Sequence, residues 1–140
     1  MRMINPNSVY GKYQTTTLTP EEAIIRLHEK VFERIERIKV TINELKAIGP
    51  LEFEKKKEQL EAISRELELI LESIDVIKGM LSDETPEDLK KKLESVYNMF
   101  KVTTIAACYY EDLNKLREAE EILQPLYEGW KSYVKGREGL

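Results

Sequence analysis

Residues 19–50 read TPEEAIIRLHEKVFERIERIKVTINELKAIGP, and this stretch alone carries the start signal, the period and the stop signal of a long helix. Thr19 can cap. Pro20 suits the first helical position, where its missing N–H has no intrahelical partner in any case, and Glu22, three residues after the cap, completes a capping box. Ile24, Leu27, Val31, Ile35, Ile38, Ile42 and Leu45 follow one another at intervals of 3 or 4 residues, one face of a helix, with Phe32 beside them. Gly49-Pro50 then stops the helix.

The pattern recurs downstream. Leu60, Ile63, Leu67, Ile70, Ile74, Ile77 and Leu81 form the seam of a second helix, and Gly79 lies near its end. Thr85-Pro86-Glu87-Asp88 repeats the start signal as cap, first-turn proline and two acids that suit the positive end of the helix dipole. The third helix it opens turns Leu89, Leu93, Val96, Phe100, Thr103 or Thr104, and Ala107 inward. Asp112 caps a fourth, with Leu116, Ala119, Leu123, Leu126, Trp130 and Tyr133 or Val134 inward. Pro125 sits inside that last pattern, which predicts a kink or a break near residues 121–125.

Four helices over residues 19–135 with short connections predict an all-α fold, an antiparallel up-down four-helix bundle. Residues 1–18 differ from the rest: Arg2 and Lys12 are their only charges, Thr15, Thr16 and Thr17 are consecutive, and no helical period runs through them. They read as an extended N-terminal segment, and residues 136–140, with Gly136 and Gly139, as a flexible tail.

Composition narrows the chemistry. A chain of 140 residues fits one domain. The single cysteine, Cys108, cannot close an internal disulfide, so a reducing cytoplasm is the expected location. The single histidine, His28, is too few for a zinc site, a di-iron bundle or a Ser-His-Asp triad, and no cofactor or metal is expected. A one-histidine enzyme using His28 with Glu29 is the catalytic alternative; the expectation is no enzyme. His28 itself reads as a half-buried or surface side chain and Cys108 as a packed thiol. The 22 basic and 26 acidic residues are interspersed, which speaks against nucleic acid as a partner. No membrane insertion is expected, because the longest uncharged run in the helical region, residues 102–110, is far short of the roughly 20 residues a span needs. The N-terminus lacks the apolar stretch of a secretory signal.

The informative residues are the apolar ones left over once each helix has its seam. At 100° per residue, Val102, Ile105 and Tyr109 lie about 140–200° from Phe100, so the third helix is apolar on two opposite faces. The second helix has a surplus stripe as well, Ala62, Leu69, Val76 and Met80, displaced about 110–150° from its seam. Two readings follow. Either the helices pack unevenly, the second and third central and the N-terminal segment covering part of the surplus, or the surplus lines a groove for an apolar partner segment. Both hold if the N-terminal segment is a displaceable lid.

At the level of motifs the chain resembles the flagellin-specific export chaperones of the bacterial flagellar secretion system. Tyr10-Gly11-Lys12-Tyr13-Gln14 is similar to that family's Tyr-x-x-Tyr-Gln, and Thr19-Pro20-Glu21-Glu22 to its Ser/Thr-Pro-Glu-Glu helix start. Leu27-His28-Glu29 stands where the family usually has Leu-Tyr-Asp, and Ser73-Ile74-Asp75 resembles its Ser-Leu-Asp. Tyr97, Asp112, Leu116, Glu118 and Trp130 follow at the intervals of its Leu-Tyr-Asp-Tyr, Asn-Asp, Leu-x-Glu-Val and Ala-Trp elements. There are departures. The stretch from Tyr13 to Pro20 is about three residues shorter than the resemblance leads one to expect, and no Gly-Gly-Glu follows Asp75. Val102 and Thr103 replace paired arginines, and Cys108-Tyr109-Tyr110-Glu111-Asp112 replaces Asn-x-x-Asn-Asp.

The resemblance implies a cytoplasmic chaperone that binds the disordered C-terminal segment of flagellin, prevents its premature polymerisation and presents it to the flagellar export gate. It implies a groove lined by Leu69, Val76, Met80, Val102, Ile105 and Tyr109, with Tyr10 and Tyr13 in the N-terminal cap. The alternative is a helical adaptor or a homo-oligomer whose surplus stripes pair with a copy of itself.

Overall fold

The computed structural model describes residues 18–82 and 85–138, with the side chains of 137 and 138 left aside. Four helices follow one another: α1 (Pro20–Lys46), α2 (Phe53–Gly79), α3 (Glu87–Tyr110) and α4 (Leu113–Glu138). Each packs on its sequence neighbours and α4 closes back on α1, so the helices form an up-down ring. The N-terminal segment, with Tyr10 and Tyr13, lies outside the described residues. At the other end α4 extends to Glu138, beyond the tail boundary expected at residue 136.

The start of α1 obeys its sequence. Thr19 Oγ1 accepts the Glu22 N–H at 3.1 Å, and Glu22 Oε1 accepts the Thr19 N–H at 2.9 Å, so two otherwise orphaned donors are satisfied reciprocally. The second Thr-Pro start does not repeat this. Pro86 itself is the N-cap of α3 and no side chain caps it, although Glu87 and Asp88 occupy the first turn as expected. Asp112 caps α4, its Oδ1 accepting the Lys115 N–H at 3.0 Å. Between α3 and α4 Glu111 adopts the left-handed conformation, φ 53° and ψ 45°, and the Asp112 N–H reaches back to the Ala107 carbonyl at 2.8 Å. That geometry favours glycine or asparagine.

All seven seam positions of α1 are buried, Val31, Ile35, Ile38 and Ile42 completely. Nine residues of α1 are buried against five each in α2 and α3, so the central helix is α1 and not the second or third. Opposite it lie Ile63, Ile70, Ile74 and Ile77 from α2, Tyr97, Phe100 and Ala107 from α3, and Leu116, Ala119 and Leu123 from α4. Two expected seam positions fail toward helix starts, and one of two alternatives at the end of α4 is exposed. Leu60 and Leu89 are 45% and 48% exposed, and at the end of α4 Tyr133 is exposed while Val134 is half-buried. In α3 it is Thr104 that turns inward, its hydroxyl donating to the Phe100 carbonyl at 2.8 Å. Pro125 lies within α4, which continues through it to Glu138, so of the expected kink or break the break does not occur.

Ion pairs and a hydrogen bond bridge neighbouring helices. Arg34 and Arg37 reach Glu66 at 3.0 and 3.7 Å across α1 and α2, and Lys39 reaches Glu120 at 2.7 Å across α1 and α4. Lys101 meets Asp75, and Lys78 donates to Asn98, each at 2.6 Å, across α2 and α3. Each such surface pair contributes roughly 0–1 kcal/mol; the core supplies most of the stability and the pairs orient it.

Candidate functional site

His28 is the first site residue that the structure moves. It is fully buried, not half-buried or on the surface, because its Cα sits on the seam side of α1 between Leu27 and Val31. Its Nδ1 lies 2.8 Å from the Ile24 carbonyl oxygen, which can only accept, so Nδ1 carries the proton. Nε2 then accepts from the Tyr97 hydroxyl at 3.0 Å, and the Tyr97 oxygen accepts the Trp130 indole N–H at 3.0 Å. Tyr127 stacks beside the imidazole at 6.1 Å and donates to Glu29 Oε2 at 2.8 Å. Every polar atom of the chain from Trp130 to Ile24 is thereby satisfied inside an apolar interior. Burial lowers the His28 pKa from 6.5 to about 4, outweighing the Ile24 hydrogen bond and the charge of Glu29, and the ring is neutral at pH 7.

This chain ties α1, α3 and α4 together. It also draws three of the motif positions, His28, Tyr97 and Trp130, to one place in the core. What the motifs encode here is a hydrogen-bonded interior. Burial pushes the Tyr97 hydroxyl up to about 12 and the Cys108 thiol up to about 11, so Cys108 is a packed thiol with almost no thiolate at pH 7.

The outer faces hold the surplus apolar residues. On α3, Met99, Val102, Ile105, Tyr109 and Tyr110 are exposed, Val102 by 66% and Tyr109 by 78%. Tyr109 and Tyr110 meet edge to face at 4.9 Å and end the strip. On α2, Leu69 is exposed while Val76 and Met80 are half-buried and packed against the core. The two stripes do not line one groove. The side of α2 that faces α3 carries Asp75 and Lys78, and Leu69, Val76 and Met80 stand about 150° around the helix from it. The periodicity located both stripes, but their relative placement depends on the order and rotation of the packed helices.

Two residues that the sequence reading did not place in a site are exposed at the start of α2. Leu51 and Phe53 are 83% and 68% exposed, and Phe53 with Leu60 borders a shallow cleft of about 410 Å³. Their signal was available: the pair Phe53 and Leu60 is seven residues apart, one heptad. A second cleft, about 620 Å³, opens between the ends of α1 and α4, with Leu18, Ile25 and Val134 among charged side chains.

Among the described residues no group of three or more potential metal ligands gathers, and no helix is long and apolar enough to cross a membrane. The fold and its surface define a helical bundle with a closed polar interior and an apolar face on α3. A family model, that of the flagellar protein FliS, matches residues 3–137, and the chain therefore belongs to this family of flagellin-specific export chaperones. Membership implies a flagellar export chaperone role. Searches of curated proteins and of solved structures give no match.

Proposed function

We propose that this protein holds the disordered C-terminal segment of flagellin in the cytoplasm, keeps it from polymerising and delivers it to the export gate. The observation that carries the reading is the α3 strip of Met99, Val102, Ile105, Tyr109 and Tyr110, exposed on a bundle whose own core is already filled. Fully burying one such side chain is worth about 1.5–3 kcal/mol, while ordering a disordered segment costs about 2–5 kcal/mol or more in all. Broad contact with moderate net affinity results, which suits a client that must later be released. The exposed Leu69 and the half-buried Val76 and Met80, on another side of α2, are reached by a segment that wraps around the bundle.

Calorimetry against a flagellin C-terminal peptide tests this. Binding in the micromolar range is expected, and Ile105→Glu weakens it while leaving the melting temperature within about 2 °C, because Ile105 is exposed. Absence of binding heat with a folded bundle would sink the proposal. Sedimentation adds a check: a tight dimer unaltered by the peptide favours the homo-oligomer instead.

A further inference from the structure

The seam between α1 and α4 is bridged along its length and open at one end. Lys39 meets Glu120 at 2.7 Å and Tyr127 donates to Glu29 at 2.8 Å, so a step back along α1 is a step forward along α4, and the start of α1 faces the end of α4. Beyond Tyr127 the seam widens into the cleft of about 620 Å³. Its floor is apolar, made of the half-buried Leu18, Ile25 and Val134. The charges around that floor are unevenly engaged. Glu22 accepts from the Thr19 N–H, while Glu128 accepts from Gln124 at 2.8 Å and lies 3.8 Å from Lys131, whose ammonium also sits 4.7 Å from the centre of the Tyr127 ring. Arg26 on the α1 wall and Lys135 on the α4 wall are exposed and have no such partner among the described residues. The cleft therefore offers an apolar floor with one unengaged cation on each wall, and both of its carboxylates are already held.

We propose that this cleft docks a short acidic segment of a second protein, distinct from the client: an apolar side chain of the segment rests on Leu18, Ile25 and Val134, and flanking carboxylates meet Arg26 and Lys135. Charge decides the occupant. Residues 1–17 of the chain itself carry Arg2 and Lys12 and no acidic residue, so they do not complement two cations. Two copies of the chain joined cleft to cleft would set cations against cations, which costs affinity. An acidic segment has neither fault, and the Arg26 guanidinium can take a carboxylate through two parallel hydrogen bonds. Position separates this partner from the client. No residue of α3 lines the cleft, so the α3 strip and the cleft can be filled at once, and the second protein can recognise the chaperone with its client in place. Two exposed ion pairs over a small apolar floor make a weak contact that forms and breaks readily.

The test is an NMR titration of the full chain, read at its backbone amides, with two capped peptides: Glu-Glu-Leu-Leu-Glu-Glu and its uncharged counterpart Gln-Gln-Leu-Leu-Gln-Gln. The acidic peptide is expected to move the signals of residues 18–26 and 128–135 with a dissociation constant in the high micromolar range, to bind more weakly as salt is raised, and to bind equally well with a flagellin C-terminal peptide present. Arg26 and Lys135 are exposed, so Arg26→Gln and Lys135→Gln keep the wild-type melting temperature. Each is expected to weaken binding about threefold, whereas Lys55→Gln, at a lysine already held by Glu52, leaves it unchanged. Equal binding of the two peptides, equal affinity in the Arg26 and Lys135 variants, or unmoved signals at the cleft overturns the proposal. Displacement of the acidic peptide by the flagellin peptide also overturns it, by giving the cleft to the client, and leaves the client reading intact.

Discussion

His28 shows how burial converts a titratable residue into a structural one. A neutral imidazole donates once and accepts once, which matches one carbonyl below it and one hydroxyl above it; a protonated ring would give Nε2 a hydrogen where it must accept. Above about pH 6.5 the ring is neutral in both the folded and the unfolded chain. As pH falls below that value the unfolded chain takes up a proton that the folded one refuses until about pH 4, so stability is lost across this window, by about 3 kcal/mol at most. Urea unfolding of wild type and His28→Gln over the same pH range checks this: the variant is less stable near neutral pH but loses less on acidification. Glu111 offers the opposite case, a residue in the wrong conformation for its type. Its φ of 53° places a β-carbon against the following carbonyl, a strain of about 1–2 kcal/mol, and Glu111→Gly removes it. A melting temperature raised in Glu111→Gly is the expected result, and no change would show that the turn has relaxed around the glutamate.

At the scale of elements, α4 shows what a helix tolerates when its neighbours hold it. Pro125 removes an N–H that the Glu121 carbonyl would accept and crowds that carbonyl, yet Leu123 on one side and Leu126 and Trp130 on the other are pinned against the core. The packing overrides the local penalty. Pro125→Ala is therefore expected to stabilise the protein by about 1–3 kcal/mol in denaturant unfolding without altering client binding. The Trp130 indole is the outermost donor of the buried chain, and Trp130→Phe leaves the Tyr97 oxygen with an unused acceptor. A loss of about 1–2 kcal/mol is expected for that change by the same measurement. The seam residues of α1 were legible because strict spacing of 3 and 4 defines one face. The ends of α2 and α3 were not, since Leu60 and Leu89 continue the period past the point where a neighbouring helix covers them. Thr85 likewise looked like a cap until the backbone placed Pro86 there.

For the whole molecule, the ring of four helices makes α1 the central element and leaves α3 with one open face. A client bound to the folded bundle and not to the unfolded chain raises its melting temperature with concentration, a shift equivalent to about 2.7 kcal/mol at a hundred times the dissociation constant. Thermal melts with increasing flagellin C-terminal peptide measure this, and Ile105→Glu is expected to reduce the shift. The helices, the bundle and the surplus stripes could be read from the chain because hydrophobic period and capping are local properties, encoded within a few turns. So was the scarcity of catalytic side chains, and so was the resemblance in motif order that membership in the family bears out. Other features belong to the tertiary structure alone: the burial of His28, the convergence of His28, Tyr97 and Trp130 on one hydrogen-bonded chain, and the placement of the α2 stripe relative to the α3 stripe. Each depends on the rotation and register of one helix against another, which many side chains in different helices fix together and no single segment of sequence records.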